Sequence, residues 1–445
     1  MARRFPPVGE LLHLIPNCCH ITMKAYLLGA LSVSFWLAKS MQLPQVVQET
    51  SMRQEPGSGA CSPTLQSDRE FDLIIYGATG FTGRLAAGYL SMGLPGAPRW
   101  AIGGRSKVDL MNLGSELAGI GSQPAVTALV ADLQDLESLK AMTRRAKVVL
   151  TYAGPYELYD GENLIKASLS TCTHYVDITG ETNWKLEMMR KYDSEAQARG
   201  LSVVQSAGFD SLPADLISML AAEEVAADGH GPPTEIAVLW TKVNGWKSGG
   251  TLASANYSFS HHFFLGSYGL APGATKASPD AAAALFDEEQ FYYSASGVDV
   301  PVIHRSMNLR FPGAPISVSE ASSASVRSNQ ETFLADPRMQ TDPPPEHPAA
   351  GEGPPAWMRR DGSFAAEARA RRSADSLVKA IRVDGSGDPG YQACARFSVQ
   401  FALGLAMDGP AACGFTTPSL ALGAERLREI LELADAGLLM NFTGV

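Results

Sequence analysis

The chain has no apolar run long enough to cross a bilayer as a helix. The nearest approach, Ala25–Ala38, spans about 14 residues behind Lys24, short of the roughly 20 that a spanning helix needs. Arg3, Arg4, Lys24 and Lys39 outnumber Glu10 around it, which reads as a targeting segment, either a secretory-type apolar region or an organellar presequence. A membrane anchor is the alternative. An excess of positive charge is missing too: 36 Lys and Arg face 46 Asp and Glu, a net charge of −10, so nothing draws the chain to a nucleic-acid backbone regardless of sequence. The six cysteines form no CxxC and no Cys/His cluster, and no metal site is expected. Widely scattered, they read as reduced thiols rather than as a disulfide framework. His261 and His262 have no third ligand at ligand spacing, and neighbours on a helix point in different directions, so they read as structural or interfacial. A Tyr-x-x-x-Lys pair with a serine upstream is also missing, so the tyrosine-lysine machinery of short-chain dehydrogenases is not assigned.

What the chain does have is Phe71-Asp-Leu-Ile-Ile-Tyr-Gly77-Ala-Thr79-Gly80-Phe81-Thr82-Gly83-Arg84, an apolar strand that breaks at a glycine and restarts as a helix. Gly77 permits the tight turn, Gly80 lets the backbone approach a pyrophosphate, and Gly83 allows the new helix to pack closely on the sheet. The helix N-terminus then offers free N–H groups to phosphate. The spacing is G-x-x-G-x-x-G, and a glycine turn without a ligand is the alternative.

From Phe71 onward strands and helices alternate. Short apolar strands are expected at Trp100–Gly103, Val126–Val130, Lys147–Thr151, Tyr175–Ile178 and Leu201–Gln205, with helices between them and another at Leu212–Ala226. This pattern predicts an α/β fold, a Rossmann-type doubly wound parallel sheet, followed by a second domain of mixed α/β structure. The division expected is 1–69 for leader and linker, 70–228 for the nucleotide-binding domain and 229–445 for the substrate-side domain. In that second half Asp336–Gly362 is rich in proline and reads as an exposed loop. Ala365–Arg372 reads as a charged, helix-prone segment, and Leu420–Leu439 as a closing helix that packs back on the core.

Ligands of such sheets bind beyond the carboxyl ends of the strands. The second strand ends in Gly103-Gly104-Arg105-Ser106, where an NAD-type site would carry an acid. A guanidinium and a hydroxyl suit a 2′-phosphate instead, which predicts NADP(H). Asp132, after the third strand, either accepts from the adenine amino group or caps the next helix. The fourth strand runs into Gly154-Pro155-Tyr156, expected to pass the nicotinamide ribose. Tyr156 and Tyr175 are the candidate proton donors, with Asp177 or Asp210 orienting; Glu181 and Ser211 are further polar groups at strand ends. For Asp210 and Ser211 capping of the following helix is the competing role.

These motifs resemble those of the saccharopine dehydrogenase-like oxidoreductases, in their branch of trans-acting enoyl reductases and membrane- or lipid-droplet-associated relatives. The resemblance rests on Gly77–Gly83, Gly104-Arg105, Gly154-Pro155-Tyr156, His174–Glu181, Gly208–Pro213, Gly387–Tyr391 and Gly414–Pro418, and it covers residues 70–440. It implies an NADP-binding Rossmann domain and reduction of a carbon–carbon double bond on an acyl or lipid-type substrate, small-molecule or carrier-bound, in lipid or glycolipid metabolism. A saccharopine-type dehydrogenase acting on an imine, and a non-catalytic NADP-binding scaffold on a membrane or lipid droplet, are the alternatives that it also implies.

Overall fold

The computed structural model describes residues 59–61, 68–120, 125–261, 285–286, 290–291, 296–434 and 439–444. The leader expected within residues 1–69 and the pair His261–His262 lie, in their side chains, outside these residues, apart from 59–61 and 68–69.

Six parallel strands follow the glycine-loop pattern: β1 (Phe71–Tyr76), β2 (Trp100–Gly104), β3 (Thr127–Val130), β4 (Ala146–Thr151), β5 (His174–Asp177) and β6 (Ser202–Val204). Between them run α1 (Phe81–Ser91), α2 (Lys107–Ala118), α3 (Leu136–Thr143), α4 (Glu162–Ser170) and α5 (Thr182–Arg199). Leu73, Ile74 and Ile75 of β1 have no exposed surface, because helices cover both faces of a parallel sheet. Strand order is β3-β2-β1-β4-β5-β6, and a seventh strand, β12 (Gly414–Thr416), adds in parallel beside β6. The end of the chain therefore contributes to the first sheet.

After β6, α6 (Leu212–Ala226) begins with Pro213 in its first turn and is buried nearly all round. A helix apolar on every side belongs in a core. It lies against the second sheet, whose order is β13-β11-β10-β7-β9-β8. The strands are β7 (Glu235–Asn244), β8 (Gln290–Phe291), β9 (Ser317–Ser323), β10 (Ser363–Arg372), β11 (Leu377–Ser386) and β13 (Met440–Gly444). Only β7 and β9 pair in parallel, so this sheet is mixed. Helices α7 (Gly249–His261), α8 (Ser296–Arg310), α9 (Ala324–Leu334), α10 (Ala356–Asp361), α11 (Cys394–Asp408), α12 (Pro418–Leu422) and α13 (Ala424–Leu433) complete the described elements.

Four expectations change. Ala365–Arg372 is strand, not helix: Ala366, Ala368 and Ala370 are buried while Glu367, Arg369 and Arg371 alternate with them, a two-residue period that overrides helix propensity. The closing helix is broken rather than continuous: Gly423, with a φ of +81°, separates α12 from α13 (Ala424–Leu433), and strand β13 follows at Met440–Gly444. The proline-rich segment 336–362 is not simply exposed: Trp357 and Met358 of α10 are buried, and the Trp357 indole donates to Asp342 O at 2.9 Å. Finally, Cys61 and Cys172 are joined by a disulfide; Cys394 and Cys413 are free thiols.

Candidate functional site

The glycine turn is tight. Gly77 has a φ of +72°, and a Cβ there would lie 2.8 Å from Ala153 N; a Cβ on Gly83 would lie 2.3 Å from Gly77 O. Gly80 is the N-cap of α1, and no side chain caps that helix end. Strand, bare turn and uncapped N-terminus together make a cradle for a pyrophosphate. Thr79 sits in the turn, and its carbonyl accepts from Arg84 Nε at 3.1 Å. The Phe81 ring lies edge-on to Tyr391 (5.3 Å between centroids), under the Arg359 guanidinium and against Gly353, where a Cβ would come within 2.6 Å. That ring joins the glycine loop to the second half of the chain.

At the ends of β2 and β3, Arg105 is exposed and has no ion pair among the described residues. Arg105 and the exposed Asp132 both act electrostatically on the buried Tyr76 hydroxyl, which places the guanidinium and the carboxylate on the same rim. Ser106 spends its hydroxyl on the N-cap of α2, accepting from Asp109 N at 3.3 Å. The cap of α3 is Asp135; Asp132 instead braces the turn before it by accepting from Gln134 N at 3.0 Å.

On the other side of the loop lies a cavity of about 860 Å³, which Thr82 and Gly154 line together with the segments that follow β4, β5 and β6 and with the end of β7. The Gly154–Pro155 bond is cis. Glu181 holds the turn that follows, accepting from Tyr156 N and Glu157 N, both at 2.9 Å, and from Ser254 Oγ at 3.3 Å; burial raises its pKa. Tyr156 lines the cavity, but its hydroxyl donates to Thr151 O at 2.9 Å and its ring stacks on Trp184.

Tyr175 and Asp177 do not line the cavity. Two residues apart on a strand, they share one face: the Tyr175 hydroxyl donates to Asp177 Oδ2 at 2.8 Å, and Asp177 Oδ1 accepts from Thr179 N and Ser206 N. Both are wholly buried, and burial pushes the Asp177 carboxyl up to about 6. They brace the loop behind the cavity wall rather than reach a substrate. Asp210 does line the cavity, and its side chain makes no hydrogen bond among the described residues. Its side chain keeps an exposed surface towards the cavity, and desolvation by the surrounding walls pushes its carboxyl up to about 6. Ser211, the N-cap of α6, makes no side-chain cap bond.

Sequence reasoning missed two groups in this wall. Asp388 is fully buried, accepts from Trp246 N (3.3 Å) and Tyr391 N (2.9 Å), and is pushed up to about 7 by burial. The Tyr391 hydroxyl accepts from Ser248 N at 2.5 Å and bonds Thr251 Oγ1 at 2.7 Å. The run Gly387–Tyr391 was visible as a motif, but nothing local tied it to a site more than 300 residues earlier. Of the described residues lining the cavity, Lys247 is the one cation, against the acids Glu157, Glu181, Asp210 and Asp388.

Residues 73–204 match the saccharopine dehydrogenase NADP binding domain. A trans-acting enoyl reductase of Mycobacterium leprae is 38% identical over 187 residues, 42% of this chain and 44% of that protein. A lipid droplet localized protein of Caenorhabditis elegans is 40% identical over 152 residues, 33% of this chain and 35% of that one. The chain thus spans less than half the length of the curated relatives it matches. Among solved structures, apo saccharopine dehydrogenase (L-Glu forming) from Saccharomyces cerevisiae has 12% identity and a TM-score of 0.49, covering 84% of this chain and all of that one. Residues 73–204 are thus similar to the NADP-binding domain of saccharopine dehydrogenases, as their motifs imply, and the cofactor is NADP(H).

Proposed function

We propose that the protein is an NADP(H)-dependent reductase that saturates a carbon–carbon double bond of an acyl or lipid-type substrate. The observation that carries this reading is the charge of the cavity beside the glycine loop: one lysine against four acids among its described lining residues. An imine formed from amino acids brings α-carboxylates, which need cationic partners. An acyl chain brings none, and Trp184, Phe209, Trp246 and Val298 supply apolar wall for it. The volume, about 860 Å³, suits a substrate of that size.

The residues fit the cofactor. Gly77, Gly80 and Gly83 leave room for the pyrophosphate, and Arg105 is free to grip a 2′-phosphate. NADPH bound there supplies hydride. Asp210 supplies the proton that completes the saturated bond: it opens on the cavity, makes no hydrogen bond among the described residues, and is raised to about 6 by partial desolvation within the cavity walls. Tyr156, with its hydroxyl engaged by Thr151, positions the turn after β4, and Glu181 fixes that turn through two backbone N–H groups.

The test is NADPH oxidation by the full chain with 2-enoyl thioesters of increasing length and, in parallel, with imines formed from amino acids and aldehydes. Turnover on the thioesters that improves with chain length supports the reading. Turnover on the imines alone overturns it, and tight NADPH binding with no turnover on either class points to a scaffold. Lipid-droplet or membrane association belongs to the same proposal, supported by the similarity to the lipid droplet localized protein of Caenorhabditis elegans. Among the described residues no helix is long and apolar enough to cross a membrane.

A further inference from the structure

A second, smaller cavity of about 100 Å³ lies beyond the carboxyl ends of β6 and β12, walled by α5 and α8. Two buried polar atoms at it have no hydrogen-bond partner: Nε2 of Gln205, a residue 8% exposed, and Oγ1 of Thr416, 6% exposed. Buried donors are seldom left unpaired, so each needs an explanation. Two cations line the same space. Lys185 donates to the Ser206 hydroxyl at 2.7 Å, with the buried Asp177 and Asp299 acting on its charge but making no ion pair with it among the described residues, and Arg305 donates to Phe415 O, with a carboxylate oxygen of Asp193 3.9 Å away. Burial lowers the pKa of both cations, that of Lys185 to about 8. None of the described lining residues is acidic.

We propose that this crevice binds a small oxyanion, held by Lys185 and Arg305 and completed by the Gln205 amide and the Thr416 hydroxyl. The site is too small for a nucleotide or an acyl chain, and it is where a parallel sheet presents its ligand-binding edge. A free phosphate and the carboxylate of a small metabolite share this chemistry. Occupancy acts on the main cavity through one contact chain. Lys185 bonds Ser206, Ser206 Oγ donates to Thr179 O at 2.6 Å, and Thr179 belongs to the cavity wall.

The experiment is a calorimetric titration of the full chain with inorganic phosphate and, separately, with acetate, each against chloride at equal ionic strength. One oxyanion binds with a single site where chloride does not; phosphate and acetate arms tell which group the site takes. In Gln205→Leu and Thr416→Val the affinity falls about tenfold or more, the effect of one lost bond to a charged group. Melting temperature without anion does not fall in these variants, since each removes an unpaired buried atom. Arg105→Ala retains the binding. Two results overturn the proposal: no oxyanion binding beyond chloride in the unaltered protein, or binding that is lost in Arg105→Ala and kept in Gln205→Leu, which assigns it to the nucleotide's own site.

Discussion

Replacing Gly77 by alanine tests the geometry on which the cofactor cradle depends. The residue has a φ of +72°, and an added Cβ meets Ala153 N at 2.8 Å and Tyr152 C at 3.0 Å, both backbone atoms that no rotamer change can move. The left-handed conformation costs an alanine about 1–2 kcal/mol. Overpacking against rigid neighbours adds about 1–3 kcal/mol, giving a loss of roughly 2–5 kcal/mol. Gly96 is the control, with a φ of +82° and nothing within 4 Å of its Cβ position. Gly96→Ala meets the conformational cost alone, partly offset by about 0.4–1 kcal/mol from the stiffer unfolded chain. Urea unfolding of the two variants, compared through midpoint and slope, measures the difference. Gly77→Ala unfolding no more easily than Gly96→Ala would refute the close approach of β1's turn to the Tyr152–Ala153 backbone. The same variant also loses NADPH affinity, because the turn that presents the pyrophosphate is displaced.

Three further outcomes follow from named groups. Asp210→Asn lowers the rate of the reduction step by about 10²–10⁴-fold, and the fall in rate of the unaltered enzyme above about pH 6, where Asp210 loses its proton, disappears from the variant's pH profile; an unchanged profile removes Asp210 as donor. Arg105→Ala weakens NADPH binding by about tenfold or more while leaving NADH nearly unaffected, read by fluorescence titration; equal losses for both nucleotides would put the guanidinium elsewhere. Stability falls as pH rises from about 4 to 7: Asp177, Asp210 and Asp215, each raised to about 6, and Asp388, raised to about 7, hold protons that the unfolded chain has already released. His174 and His304, lowered to about 4 by burial, act in the opposite sense over the same range but are fewer. Below pH 4 the trend reverses, since Asp72, despite burial, is held near 2 by Arg99 and Lys147 and loses those bonds on protonation. A urea midpoint that climbs between pH 5 and 7 would contradict this balance.

The first sheet was legible because its signals are local. A run such as Leu73–Tyr76 must be covered on both faces, and Gly77 cannot be anything but a turn once its φ is positive. Within the site, strand-end polar groups misled in one instance. Tyr175 and Asp177 satisfy each other across two residues of one strand, a pairing that sequence position does not distinguish from two groups facing a ligand. Asp388 and Tyr391 were missed as members of the wall for the opposite reason: their partners Trp246, Ser248 and Thr251 lie about 140 residues away, and only the fold joins them. Ala365–Arg372 misled through composition, since Ala, Glu and Arg favour helices while their alternation fits a half-buried strand. The Cys61–Cys172 bond spans 111 residues, a separation from which no pairing can be read.

The most direct test of the proposed reduction is transfer of label from NADPH deuterated at the nicotinamide C4 to a 2-enoyl thioester, followed by mass spectrometry of the product. One deuterium is expected at the β-carbon of the saturated thioester, formed by the unaltered protein and nearly absent with Asp210→Asn. Deuterium found only in the secondary amine made from an amino-acid imine, with none in the thioester, would contradict it.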